Sequence, residues 1–223
     1  MITIISGSFF KGFYSSFVNI LVSLKMLEQD LYTNNQLEKL GNSLIFLCDN
    51  LEKATKTHLL KLVFIIEELS VKELGIPFFD LRFDLWKLGP VSKDLYVELS
   101  EELNLLSPYI VTELTKDGTT IIRSKKSFSD DEFSDNEMKL LESIVERFKY
   151  CTANELVNFT HKKDSPWYNT ALKNGVLELL ESGKMNTTEI PIDLSELLAD
   201  NADKLMFYQS HKEFLKQSKT LKS

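Results

Sequence analysis

The chain has 223 residues, 43% hydrophobic and 26% charged, which suffices for one globular core with an extension or for two small packed domains. Its formal net charge of -7 makes nucleic acid a poor default partner, because phosphate binding needs a basic surface. The short basic runs at Arg123–Lys126 and from Lys212 to Lys222 read as solvated surface.

The first 25 residues, MITIISGSFFKGFYSSFVNILVSLK, are rich in Phe, Ile and Ser and contain no acid. They lack the basic start and small-residue cleavage site of a secretory signal. Lys11 and several serines interrupt the apolar run that a membrane span would need. Charged, helix-patterned sequence begins at Met26, which is read as the biological start. Residues 1–25 are then a non-native or poorly packed extension.

Leu37, Leu40, Leu44, Leu47, Cys48 and Leu51 recur at helical steps and predict an amphipathic helix, with Asn34 and Asn35 as candidate caps. Thr57 to Leu74 is apolar on more than one face and is expected to be a central helix. Thr55 or Thr57 caps its start, and Gly75 before Pro77 ends it. Phe83 to Leu88 reads as a short strand terminated by Gly89-Pro90, since proline cannot donate to a sheet. Val91 to Leu103 follows as a helix behind Ser92. Tyr109–Lys116 and Thr119–Arg123 flank Asp117-Gly118, the residues of a two-residue hairpin turn.

The polar stretch SKKSFSDDEFSD is a plausible seam. Ser134 and Glu137 then form a capping box for a helix with Leu141, Ile144, Val145 and Phe148 on its apolar face. A shorter helix is expected from about Thr152 to His161, and another from Ser165-Pro166, with serine as cap and proline at the first position. Asn174-Gly175 breaks the pattern before Val176–Leu180. Asp193 and Glu196 are expected to cap a final long helix. The sum is α+β, mainly α: a helical domain with one small antiparallel sheet or hairpin.

Candidate chemistry is sparse. Glu67 and Glu68 are adjacent and point to different helix faces, so they cannot readily share a proton. Asp130, Asp131 and Glu132 fall in the polar seam. Cys48 and Cys151 lack C-x-x-C spacing and read as reduced structural thiols. Ten helical residues would hold Cys151 and His161 about 15 Å apart, too far for proton transfer. No nucleophile elbow, zinc-binding H-E-x-x-H or Walker loop occurs, so no catalytic residue, metal ligand or cofactor is assigned. His161 reads as a helix-end cap. Trp86 and Trp167 each stand beside a proline-containing boundary. They read as packing residues, with interface anchors as the functional alternative.

Two blocks carry a resemblance. THLLKLVFIIEELSVKELGIPFFDLRFDLWKLGPVSKDLY resembles the Panacea domain of the SocA-like antitoxin family. Leu59-Leu60-Lys61-Leu62 matches the family's helix, and Trp86 with Gly89-Pro90-Val91 matches its strand and turn. Phe64 stands where many members carry tyrosine. TANELVNFTHKKDSPWYNTA resembles the family's later element, with His161, Pro166 and Trp167 at its marked positions. The similarity spans about Gln36 to Lys184, giving a domain at 26–184 followed by a C-terminal helix and basic tail at 185–223. Lys61, Trp86, Gly89, Pro90, Val91, His161, Pro166 and Trp167 are expected to be mainly structural. Trp86 is expected to pack the strand onto the central helix, Gly89 to permit the turn and Pro90 to set the next helix.

The resemblance implies a cytoplasmic, non-enzymatic antitoxin, compatible with a phage-associated system, that binds a cognate protein toxin. It can act by blocking the toxin or by delivering it to a cellular protease. No cofactor, membrane or nucleic acid is implied, and the alternative from another class is a nucleic-acid-binding regulator of its own operon. A scaffold serving many toxins needs a variable exposed surface. The candidate partner-binding residues are therefore Arg82, Lys87, Lys93, Asp94, Lys162, Lys163 and Asp164, flanking the two blocks.

Overall fold

The computed structural model describes residues 32–100 and 103–220. The expectations for Met26, residues 1–25 and the end of the basic tail lie outside that range.

Helix α1 (Asn34–Asn50) buries Leu40, Leu44, Ile45 and Leu47. Its cap is Thr33, not Asn34 or Asn35. Thr33 and Gln36 form a reciprocal capping box, and the asparagines fall inside the first turn. Helix α2 (Lys56–Leu74) is capped by Thr55 and closed by Gly75 in the left-handed region at φ 75°, as expected. Leu59, Leu62, Val63, Phe64, Ile65 and Ile66 are all fully buried, so α2 is the axis of the core. The helices at Asp135–Phe148 and Ala153–Thr160 and strands of both sheets pack around it.

Two small antiparallel sheets occur where one was expected. β1 (Asp84–Trp86) and β2 (Gly89–Val91) form a hairpin closed by Lys87-Leu88. Gly89-Pro90 therefore does not end the sheet: it begins the second strand. Pro90 is tolerated because β2 is an edge strand and Leu85↔Pro90 is the non-hydrogen-bonded pair of the hairpin, so the missing N–H would point outward. A third strand, β5 (Thr187–Pro191), pairs with the other side of β1. It lies beyond the boundary drawn at Lys184 and hydrogen-bonds into the sheet before it.

Helix α3 (Lys93–Glu98) is shorter than expected. The Glu98 carboxylate accepts from the N–H groups of Asn104, Leu105 and Leu106, which turns the chain away. The second sheet pairs β3 (Ile110–Leu114) with β4 (Thr120–Ser124). The loop is longer than a two-residue turn: Gly118 N–H donates to Thr115 O, and Gly118 takes the left-handed conformation that closes it.

Helix α4 (Asp135–Phe148) has the Ser134–Glu137 capping box, and Glu137 also pairs with Lys39 of α1. Thr152 and Glu155 box the start of α5 (Ala153–Thr160), and Ser165 caps α6 (Pro166–Lys173) with Pro166 at its first position. After α7 (Leu177–Glu181) and β5, Asp193 caps a 3-10 turn (Leu194–Leu198) rather than the long helix. The long helix α8 starts afresh at Ala202 and runs to Thr220. No helix among the described residues is long and apolar enough to cross a membrane.

Candidate functional site: a clamp on the β1–β2 hairpin

Seven of the eight family-motif residues expected from the two sequence blocks, Lys61, Trp86, Gly89, Pro90, Val91, His161 and Trp167, meet at the β1–β2 hairpin, and the eighth, Pro166, starts the helix that carries Trp167. Because Leu85↔Pro90 is a non-hydrogen-bonded pair, the Pro90 carbonyl points away from β1. There it accepts from Lys61 Nζ at 2.9 Å. Lys61 is 2% exposed in the middle of α2, and burial lowers its pKa to about 7. The Lys87 carbonyl at the hairpin tip receives His161 Nε2 at 3.0 Å. The Trp86 carbonyl accepts from Trp167 Nε1 at 2.9 Å. Three hairpin carbonyls thus meet donors from three separate helices or helix ends.

The three donors are held in turn. His161 Nδ1 lies 2.6 Å from Val157 O, which fixes the ring at the end of α5, and its ring centroid is 3.8 Å from that of Trp167. Burial lowers the His161 pKa, opposed by its two carbonyl contacts. The expected helix-end cap is half of its role: the other nitrogen reaches across to the hairpin. Trp167 is 1% exposed. The turn before it is set by Asp164 at φ 68° and by Ser165, whose Oγ donates to Thr160 O while accepting from Tyr168 N–H.

Gly89 is required at the centre. Its φ is 97°, and a Cβ there would lie 2.7 Å from Thr160 Oγ1 and 3.1 Å from both Lys61 Nζ and His161 Cε1. No larger residue fits between hairpin and clamp.

Trp86 does not act as expected. Its side chain is half-buried and stands on the outer face of the sheet, edge-on to Tyr96 with centroids 5.0 Å apart. Strand alternation assigns the inward positions to Phe83 and Leu85, with Phe83 edge-on to Phe64 at 5.1 Å. The backbone carbonyl of Trp86, not its ring, joins the clamp.

The candidate partner-binding residues are all exposed and fall into two groups. Arg82, Lys93 and Asp94 line a cavity of about 250 Å3 with Asp84 and Glu189 on the outer face of the sheet. Arg82 Nε donates to Asp84 at 2.9 Å and its terminal nitrogen donates to Glu189 O at 2.8 Å. Asp94 accepts from Tyr32 Oη. Lys87 sits at the hairpin tip. Lys162, Lys163 and Asp164 form the α5–α6 turn, tied to that tip through His161.

Sequence reasoning missed Thr160, Glu189 and the second buried polar arrangement, at Glu67. The Glu67 carboxylate, fully enclosed, accepts from the N–H groups of Phe78 at 3.0 Å, Phe79 at 2.7 Å and Asp80 at 3.1 Å. Burial pushes its pKa up to about 7 against the pull of those donors. Cys48 and Cys151 both line a cavity of about 800 Å3 beside His58. Burial pushes the Cys48 thiol up to about 12, so it stays protonated. Among the described residues no group of three or more His, Cys, Asp or Glu side chains is placed to hold a metal ion.

Residues 59–168 match the family model described as antitoxin SocA-like, Panacea domain. This chain carries a SocA-like Panacea domain. No curated protein and no solved structure matches it. The matched span opens two residues before Lys61 and closes one residue after Trp167, so the Panacea segment encloses the whole hairpin clamp. β5 and α8 lie outside it.

Proposed function

We propose that this protein is an antitoxin that binds a cognate protein toxin and neutralises it. The observation that carries the reading is the Panacea match over the clamp. The polar motif residues inside that match are committed to backbone carbonyls. Each His161 nitrogen faces a backbone carbonyl, so neither is open to a substrate, and Lys61 is sealed from solvent. The motif therefore builds a rigid platform rather than a reaction centre. Exposed charges at Arg82, Lys87, Lys93, Asp94 and Lys162–Asp164, with Trp86 and Tyr96 among them, supply a surface that steers and selects a protein partner.

The test is co-expression with the protein encoded by the adjacent reading frame. That neighbour alone is expected to arrest growth, and this chain is expected to restore it and to co-purify with the neighbour. A neighbour that is harmless alone, or whose toxicity persists beside well-expressed soluble antitoxin, sinks the reading.

A further inference from the structure

A cavity of about 140 Å3 opens between the start of α1 and helix α3. Leu40, Leu95 and Leu106 form its buried floor, and Leu37, Leu105 and Val97 form its walls. Val97 is 41% exposed, so the cavity is reached from outside. Water held in a cavity needs several polar partners, which these side chains do not offer. An apolar cavity of about 150 Å3 accommodates benzene, so the space here suits one ring or one branched aliphatic side chain.

The mouth of the cavity is charged, and its charges are not equally engaged. The Glu98 carboxylate accepts from the N–H groups of Asn104, Leu105 and Leu106, and Asp94 accepts from the Tyr32 hydroxyl at 3.2 Å. The ion pair that Lys93 makes with Glu189 is 3.8 Å long and exposed on both sides. Of the three charged residues at this mouth, Lys93 is therefore the one most open to an incoming group. Lys93 and Asp94 also line the charged cavity on the outer face of the sheet, so the apolar cavity continues the surface assigned to the partner.

We propose, on the antitoxin function given above, that this cavity anchors the toxin. It takes one ring or branched aliphatic side chain from a toxin segment that carries an aspartate or glutamate beside it. That carboxylate meets Lys93, whose ammonium exchanges a long contact with Glu189 for a closer one. The side chain seated in the cavity supplies affinity, as a desolvated anchor in a pocket does. The charge pair at the mouth supplies encounter and selection.

Phenylacetate, a ring beside a carboxylate, probes the site without the toxin, and phenethylamine, the same ring with an ammonium, is its control. In saturation-transfer NMR on the full chain, phenylacetate is expected to receive saturation and phenethylamine far less. Val97→Phe fills the cavity from its exposed wall, and Leu37→Phe fills it from the α1 side. Each should abolish the phenylacetate signal and weaken association with the co-expressed toxin about tenfold or more. The melting temperature should stay level or rise, since the added ring fills existing space. Lys93→Glu should lose the phenylacetate signal with its melting temperature unchanged. If a filled variant fails to fold, Lys93→Glu and the two probes decide. Phenylacetate that binds no better than phenethylamine overturns the proposal. Filled variants that both melt well below the parent show that the chain itself uses the cavity, which overturns it as well. A toxin held equally by the parent and by both filled variants sinks the anchor and leaves the antitoxin function standing. A neighbour that is harmless alone sinks that function, and the toxin as occupant falls with it.

Discussion

Helix α2 holds two stretches of backbone with buried side chains of opposite polarity. At the β1–β2 hairpin, the held groups are carbonyls, and their donors come from Lys61, His161 and Trp167. At the loop after α2, the held groups are the N–H donors of residues 78–80, and one carboxylate, Glu67, serves all three. The loop clamp is local, spanning at most 13 residues. The hairpin clamp reaches across 74 residues for His161 and 81 for Trp167. A local clamp shapes its own loop. A clamp assembled from α2, α5 and α6 forms only when the distant parts of the Panacea segment have come together, so it ties their stability into one cooperative unit.

The largest effect that sharpens this contrast is expected at Trp167. Trp167→Ala empties a fully buried aromatic site and removes the donor to the Trp86 carbonyl, at an expected cost of about 3–5 kcal/mol by denaturant unfolding. Trp167→Phe keeps most of the volume and should cost about 1–2 kcal/mol, mainly for the stranded carbonyl. If the alanine variant loses under about 1 kcal/mol, the hairpin is not the cooperative seam described here.

The next effect is in pH dependence, where the two clamps are expected to pull in opposite directions. Between about 7 and 10.5 the unfolded chain keeps a proton on Lys61 that the folded chain has released, so Lys61 makes stability rise with pH across that window. Between 4.5 and about 7 the folded chain keeps a proton on Glu67 that the unfolded chain has lost, so Glu67 makes stability fall as pH rises. Each slope approaches about 1.4 kcal/mol per pH unit at most. Lys61→Met should therefore flatten the alkaline limb of the stability profile relative to the parent, and Glu67→Gln the acid limb. Exchanged or unchanged limbs, measured by urea unfolding at several pH values, would break the comparison.

How far these clamps could be read from sequence follows from what each is made of. The capping box at Ser134 and the Ser165-Pro166 start are local signals written in adjacent side chains, and they stand where expected; the box at Thr152 and Glu155 is the same kind of signal, in a helix expected without it. Lys61, Gly89, His161 and Trp167 were visible as motif positions, but what the donors bind is backbone carbonyl, which has no residue signature. The Glu67 clamp was hidden for the same reason: its partners are peptide N–H groups. β5 carries no strong apolar alternation and takes its identity from pairing with β1 about a hundred residues earlier. Helix α3 was over-extended because its periodicity continues past Glu98, while the carboxylate that ends it acts through backbone again.

A smaller effect is expected at Trp86, whose ring lies outside the clamp although its carbonyl lies within it. Trp86→Ala loses the edge-on contact with Tyr96 and a half-buried surface, at about 1–2 kcal/mol, well below the Trp167 variant. In the co-expression assay the same variant should weaken neutralisation, because the ring stands among the exposed charges proposed to meet the toxin. Destabilisation equal to that of Trp167→Ala would place the ring inside the scaffold after all.

The smallest effect on the fold is expected where the platform meets its partner. Lys87, Lys93 and Lys163 are exposed, and the ion pair that Lys93 makes with Glu189 is long at 3.8 Å and open to solvent. Such a pair contributes little to stability, so reversing each charge to glutamate should leave the melting temperature nearly unchanged. Binding is a different matter. Charges on the rim of an interface act on encounter and selection, and their influence is screened as salt rises. Each reversal is therefore expected to weaken association with the co-expressed toxin at low salt, with the gap to the parent closing as salt is raised. Lys93 tests the outer face of the sheet, and Lys87 with Lys163 tests the hairpin tip and the α5–α6 turn. If only one group responds, the toxin sits on that side of the hairpin. If neither responds while Trp86→Ala still impairs neutralisation, docking is carried by the aromatic pair. If all the variants neutralise like the parent, the toxin docks elsewhere, and the exposed Phe207 and Phe214 of α8 become the next residues to change.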